Sequence, residues 1–569
     1  LLTLLPIMIA LGAGGAAAAP AQVAELVLRG GKIVTVDDDI QQAEAIAVAG
    51  DTILAVGGDD HIGAFIGPET RVIDLEGQLA IPGFIESHAH FASMGEAGSR
   101  LNLTETSSWE EIVAMVARAV GEADPGEWIA GRGWHQDKWV ETPAGSVEGV
   151  PLHHSLSAVS PHNPVALRHA SGHSLVVNAR AMELAGISAE SASPAGGEIV
   201  VDAEGEPTGL LLETAMGLIT PAEAQGDSAE IRHLLLAAQE CLSRGITTFH
   251  DASSSFETVD LLKRLAEDGE LDVRLWVMLD ESNDRLAEKL AEYRIIGAAD
   301  NHLTVRAIKR FVDGALGSRG AWLLEPYADL PGNTGLNTYP LEELKQTARL
   351  ALKHGFQLCA HAIGDRANRE TLDVFAEAFA ATASSGRDHR WRVEHTQHLH
   401  PDDIPRFGAL GVIASMQAVH CTSDGPWVPS RLGERRSREG AYVWRSLIDA
   451  GAIVANGTDA PAEDVDPIAN FYASVTRGMK GGKAFYPEQR MTRREALRSY
   501  TINGAYAAFE EDIKGSLTPG KLADITVLSR DIMTIPEEEI PDTEVVYTIV
   551  GGEVKYCRTM SEGGRGAAR

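Results

Sequence analysis

PGFIESHAHF, residues 82–91, is the stretch whose reading decides the fold. A Pro-Gly pair opens a short apolar run, the pattern of a β-strand beginning at a turn. Residues two apart on a strand point to the same side, so the imidazoles of His88 and His90 can reach one metal ion. A His-x-His pair alone is weak, because histidines fall this way by chance in many chains. Its place at the end of an apolar strand is what gives it weight.

The same arrangement recurs downstream. His361 closes GFQLCAHA, His395 closes WRVEHT and Asp459 closes AIVANGTD. The spacings are 395 − 361 = 34 and 459 − 395 = 64. A (β/α)₈ barrel of about 250 residues spends roughly 31 residues per unit, so these gaps are about one and two units. That places the three residues on strands five, six and eight, with Lys309 of LTVRAIKRFVDG on strand four. Taken singly, His361 reads equally well as a core histidine, Asp459 as a turn or cap residue, and Lys309 as a side chain snorkelling to the rim. Six coincident placements at the C-terminal ends of five strands favour a metal site at the barrel face that carries active sites.

Working outward, GITTFHD, DVRLWVML and GVIASMQ complete eight strand candidates, with helical stretches such as EELKQTARLALKHG between the later ones. The expected fold is therefore α/β, a TIM-like (β/α)₈ barrel over residues 81–511. The segment from about 102 to 243 is too long for one connection and reads as a subdomain inserted after the first barrel strand. Alternating strands and glycine turns at 22–80 and 512–557 predict one small β-sandwich built from both chain ends. Residues 1–21 are apolar, then small, with Ala-x-Ala-like sites after Ala19 or Ala21, and read as the remnant of a signal peptide. Export to the periplasm or medium is expected, with the cytoplasm as the alternative and no stable membrane insertion after processing.

Composition narrows the chemistry. The chain has 569 residues with 49 Lys plus Arg against 81 Asp plus Glu, a net charge of −32. A surface this acidic repels phosphate backbones, which excludes nucleic acid as a partner class. Cys241, Cys359, Cys421 and Cys557 lie far apart and form neither a disulfide framework nor a CxxC, so any metal site must use nitrogen and oxygen donors.

PGFIESHAHF, AIKRFVDGALGSRGA, HAIGDRANR, VEHTQHLHPDD and NGTDAP together resemble the amidohydrolase superfamily. More narrowly, they resemble its branch (amidohydrolase family 3) that includes N-substituted formamide deformylase. GWHQDKW, GHSLVVNARAMELAG, GLLLETA and MQAVHCTSDGPW extend the resemblance over roughly 24–557. It implies a binuclear divalent site, usually two zinc ions, although manganese, iron or cobalt can occupy similar donors. By motif, His88 and His90 would hold the more buried ion with Asp459, His361 and His395 the more exposed one, and an N-carboxylated Lys309 would bridge them. A bare ammonium between two dications is repelled, whereas a carbamate is an anionic bidentate ligand. A mononuclear site of His88, His90, His361 and Asp459 stays open, as does a role for His395 as an orienting donor.

The implied mechanism is hydrolysis by metal-activated hydroxide, with Asp459 and His395 as catalytic candidates and Asp459 passing the water proton to the leaving nitrogen. The expected substrate is a small amide-like molecule, N-substituted formamides among them, cleaved at a carbon–nitrogen bond other than a peptide bond. Ester, lactone or carbamate hydrolysis on the same site is the alternative, and a non-catalytic barrel scaffold is a further one. Self-association is expected only from family habit. His173 in SGHSLVVN, Arg319 after strand four, Gln417 and His420 in MQAVH, and Trp427 are the substrate-binding candidates. Core packing competes for Trp427 and a structural salt bridge for Arg319. Arg306 and Arg310 flank Lys309 at odd offsets, so they should face outward and need carboxylate partners.

Overall fold

The computed structural model describes residues 23–558, apart from 99, 104–105, 137–138, 142, 144, 148, 170–173, 195–196, 220–226, 318 and 383–387. Residues up to Gly83 together with those from Phe509 form one compact unit, and Phe84–Ala508 form another. The signal-like segment lies outside the described residues. Among the described residues no helix is long and apolar enough to cross a membrane.

The first unit joins both chain ends through backbone pairing. Ile525–Leu528 runs antiparallel to Leu79–Pro82, with Thr526 opposite Ile81, in a six-stranded sheet that also takes in Lys32–Val34 and Val545–Val550. A four-stranded sheet holds Leu26–Arg29, Ala45–Ala49, Thr52–Gly57 and Arg71–Asp74. Alternation supplies the core: Leu26 and Leu28 are buried beside Ile46, Val48, Ile525 and Val527.

In the second unit, eight parallel strands follow one another in hydrogen-bonded order. They are β1 (Phe84–Ala89), β2 (Ile246–Ser254), β3 (Arg274–Leu279), β4 (Leu303–Phe311), β5 (Gln357–Ala362), β6 (Arg392–His395), β7 (Ile413–Met416) and β8 (Val454–Asn456). Every residue of β1, β3, β6, β7 and β8 is buried, as expected for strands covered on both faces. Helices Phe256–Glu267, Leu341–His354 and Asp365–Thr382 follow β2, β4 and β5. The first is capped by the Ser255 hydroxyl accepting from Thr258 N–H, and the second ends on Gly355 at φ 73°.

Between β1 and β2 lies a six-stranded mixed sheet running from Gly197–Val201 at one edge to Leu101–Asn102 at the other. Helix Asp227–Ser243, inside the stretch read from sequence as insertion, leads directly into β2. It presses on helix Phe91–Gly98 so closely that a Cβ on Gly95 would lie 1.8 Å from the His233 carbonyl oxygen. Physically, that helix is the barrel's first outer helix, and the sheet before it is the added subdomain.

The barrel closes at its site. Asp459 N–H donates to the His88 carbonyl (2.8 Å) and His90 N–H to the Ala460 carbonyl (2.8 Å), joining the chain after β8 to β1 and the residue that follows it. Glu86, fully buried, accepts from Thr458 N–H at 2.7 Å and from the Tyr500 hydroxyl at 3.1 Å. Gly457 permits this seam, because a Cβ there would meet Glu86 Oε1 at 2.4 Å and His88 N at 2.6 Å. Gly457→Ala is expected to destabilise the protein by roughly 1–3 kcal/mol through overpacking, read as a lowered thermal midpoint.

Arg310 does face outward, but its partners are mainly neutral. Its guanidinium donates to the Lys309 and Glu281 carbonyls, each at 2.7 Å, and to Thr347 Oγ1 at 3.1 Å, with Asp280 at 3.6 Å. Five donors in a fixed fork let one arginine tie two carbonyls and a hydroxyl, so a carboxylate alone is not what makes its burial tolerable.

Candidate metal centre

Strand periodicity builds the centre. Glu86, His88 and His90 lie at alternate positions on one side of β1 and its continuation. His88 Nε2 and His90 Nε2 stand 3.4 and 3.3 Å from Asp459 Oδ1. Two donors each about 2.1 Å from one ion at tetrahedral angles are separated by about 3.4 Å, so both distances match edges of a zinc-like coordination shell. Lys309 Nζ, wholly buried, lies 3.4 Å from the same His88 nitrogen.

On β6 the alternation is interrupted at a useful place. Arg392 and Glu394 face inward two residues apart, so regular alternation would turn His395 outward. His395 and Thr396 instead take left-handed backbone, φ 74° and 46°, and the His395 ring packs 4.7 Å from His88 and 4.4 Å from His361. Asp459 is also left-handed, at φ 62°. Such conformations are uncommon for non-glycine residues and gather at functional sites.

Hydrogen bonds then decide which imidazole nitrogen is free. His88 Nδ1–H donates to Glu394 Oε2 at 2.5 Å and His395 Nδ1–H to Gln417 Oε1 at 2.8 Å, leaving both Nε2 lone pairs for a metal. His361 Nε2 is buried without a hydrogen-bond partner, 3.6 Å from Asp313 Oδ1. An orphaned ring nitrogen beside His395 is what a second ion would satisfy. His420 differs: the Gln397 amide donates to its Nδ1 at 3.0 Å, so its Nε2 carries hydrogen and faces Asp459 Oδ2 at 3.9 Å. His395, His420 and Asp459 therefore form a second donor group in space, but His420 is the hydrogen-bond donor of that group.

The electrostatics suit cation binding. Burial, then the Lys309 charge, pushes His361 down to about 3, and burial beside His361 holds His395 well below the usual imidazole range. Burial likewise depresses Lys309, favouring the free amine. Burial alone would raise Asp459, yet the His88 and His90 imidazoles beside it hold it well below the usual carboxylate range. His361 and His395 thus present neutral imidazoles and Asp459 an anion, the forms that ligate.

Two further groups went unread in the sequence. Glu394 is fully buried between His88 and Arg392, whose Nε lies 2.7 Å from Glu394 Oε1 at an angle too poor for a hydrogen bond. Arg392 also donates to the Ser87 carbonyl and to Ser415 Oγ. Asp313, pushed up to about 7 by burial, accepts from the N–H groups of Ile363, Gly364 and Trp322 and so fixes the loop after β5. The available signal was the pair of charges at period two in WRVEHT, on a strand that had to be buried on both faces.

The other candidates are dispersed. Arg319, at φ 60°, pairs with Asp329 at 2.8 Å. Trp427 lies against Gly317, and the Arg431 guanidinium sits 5.7 Å above its ring. His173 lies outside the described residues.

The family model described as Amidohydrolase family matches residues 71–556. Protein LONG AFTER FAR-RED 3 of Arabidopsis thaliana is 34% identical, covering 94% of this chain and 92% of its own. N-substituted formamide deformylase of Arthrobacter pascens is 28% identical over 95% of this chain and 100% of its own. Among solved structures, an uncharacterized metal-dependent hydrolase from Pyrococcus furiosus superposes with a TM-score of 0.71 at 26% identity, covering 90% of this chain and 100% of that one.

Proposed function

The chain belongs to the amidohydrolase family, and from that premise we propose that it is a metal-dependent hydrolase cleaving a carbon–nitrogen bond of a small amide-like substrate. N-substituted formamides are the first class to try, given the deformylase relative. The observation that carries this reading is the convergence of His88 Nε2, His90 Nε2 and Asp459 Oδ1 at coordination spacing on the mouth of the barrel. His88, His90 and Asp459 would hold one divalent ion, His361 and His395 a second, with Lys309 between them as its carbamate and zinc as the favoured metal. When bound, such ions supply Lewis acidity that makes water a nucleophile near neutral pH and polarises a carbonyl.

The chain's own groups do the rest. Asp459 accepts the water proton and returns it to the leaving nitrogen, which its ionised state and its place beside two imidazoles allow. His420 Nε2–H donates to the oxygen that gains charge, held in that tautomer by Gln397. Gln417 keeps His395 aimed. The signal-like start supports export, which fractionation of the expressed protein would test.

Elemental mass spectrometry on protein purified without added metal or chelator is expected to find about two ions per chain. Chelation should abolish turnover across amide, formamide and ester panels, and metal should restore it. One ion would select the mononuclear site, and none, with no gain on adding zinc or manganese, would overturn the reading. Lys309→Ala should lower metal content, with partial recovery of activity in a small carboxylic acid.

A further inference from the structure

Phe311 ends β4, two residues beyond Lys309, so both side chains point to the same side of the strand. It is paired in register with His361 on β5. Its ring lies 5.5 Å from the His361 ring, and the Lys309 amine stands 4.8 Å from its centroid. The side chain therefore sits at the mouth of the barrel beside two of the groups read as metal ligands. Phe311 is nevertheless 36% exposed, a large apolar ring left open to water among polar neighbours. The side chains of His90, His361, His420 and Asp459 are also partly exposed, so ring and centre are both open to a molecule entering the mouth.

Barrel order says which part of a substrate meets that ring. Asp459, which returns the proton to the leaving nitrogen, follows β8. Phe311 ends β4, four strands away and so half-way round an eight-stranded barrel. In an amide the nitrogen and the acyl group leave the carbonyl carbon in different directions. A substrate whose nitrogen faces Asp459 therefore turns its acyl group toward β4 and Phe311. Hydrogen in that position, as in a formamide, leaves the ring uncovered. An alkyl or aryl group there covers one face and removes about 50 Å² of apolar surface from water, which corresponds to about tenfold in affinity.

We propose that Phe311 is a specificity-determining residue that packs against the acyl group of the substrate, so that amides of apolar carboxylic acids are favoured over formamides at this site. The inference rests on the hydrolase reading, because Asp459 and His361 set the direction in which the substrate lies.

Calorimetric titration of the full-length zinc-loaded protein with hydroxamates tests it without turnover. A hydroxamate chelates zinc through two oxygens and keeps the amide's order of acyl group, carbonyl and nitrogen. Phenylacetohydroxamate carries a benzyl group on its carbonyl, its isomer N-benzyl-N-hydroxyformamide carries the same group on nitrogen, and acetohydroxamate carries only a methyl. Phenylacetohydroxamate should bind about tenfold more tightly than acetohydroxamate. Phe311→Ala should cut that ratio to below about threefold, with metal content measured on the same preparation. It should leave the ratio of the N-benzyl isomer to acetohydroxamate within about twofold of the parent's. Phe311→Leu, which keeps an apolar side chain, should retain most of the first ratio. Should Phe311→Ala fail to fold or lose metal, crystals of the parent with phenylacetohydroxamate should show its ring against Phe311, and a ring lying elsewhere overturns the proposal. With hydroxamates bound, the proposal alone falls if the parent's first ratio is near one, if that ratio survives Phe311→Ala, or if the N-benzyl isomer is the probe that Phe311→Ala weakens. A chain that takes up no zinc, or a zinc-loaded chain that binds none of the three, overturns the hydrolase reading and the proposal with it.

Discussion

Asp459→Asn is expected to lower turnover by at least about 10⁴-fold while leaving the thermal midpoint within a few degrees of the parent. Both carboxylate oxygens are committed: Oδ1 faces His88 and His90, and Oδ2 faces His420. An amide has nearly the same shape, so the barrel seam made by the Asp459 backbone is untouched. Its –NH₂, however, brings donors against a cation site and removes the anion that takes the proton. Proton transfer alone accounts for about 10²–10⁴ in rate, and loss of a ligand multiplies that. Steady-state kinetics on the best amide substrate, with metal content measured on the same preparation, checks it. A rate within tenfold of the parent would remove Asp459 from the chemistry.

Glu394→Gln should be the most damaging isosteric change to stability. Glu394 and Arg392 are both fully buried, and burial alone would push the Glu394 carboxyl up; Arg392 and then His88 hold it well below its usual range. Removing one partner of a buried pair leaves the other charge uncompensated, at a cost of about 3–5 kcal/mol. The charged acceptor that fixes the His88 tautomer and raises its basicity would become at best a neutral amide oxygen, weakening metal affinity by about 10–100-fold. The two effects separate experimentally. The stability loss should persist in chelated protein, and the affinity loss should appear in competition with a metal indicator. An unchanged midpoint in the chelated state would refute the buried-pair argument.

Much of this architecture was legible because barrel periodicity and ligand spacing constrain each other. His88, His90, Lys309, His361, His395 and Asp459 all lie at or just beyond the C-terminal ends of parallel strands, as the gaps of 34 and 64 residues require. The insertion was harder to delimit, since helix Asp227–Ser243 has no sequence feature that marks it as barrel rather than subdomain. Glu394 and Arg392 escaped notice because one-dimensional reading sees charges, not the face they occupy. The donor character of His420 could not be read at all, as it depends on a hydrogen bond from Gln397, which belongs to a different strand end.

The seam between the first and last strands has a consequence for biosynthesis. Glu86 waits for Thr458 across 372 residues. At about 5–20 residues per second, a ribosome needs roughly 20–75 seconds to cover that distance. Throughout that interval His88 and His90 have emerged and Asp459 does not yet exist. A correctly composed centre can be loaded only after nearly the whole barrel has been synthesised, so metal delivery to this protein comes late in its synthesis or after it.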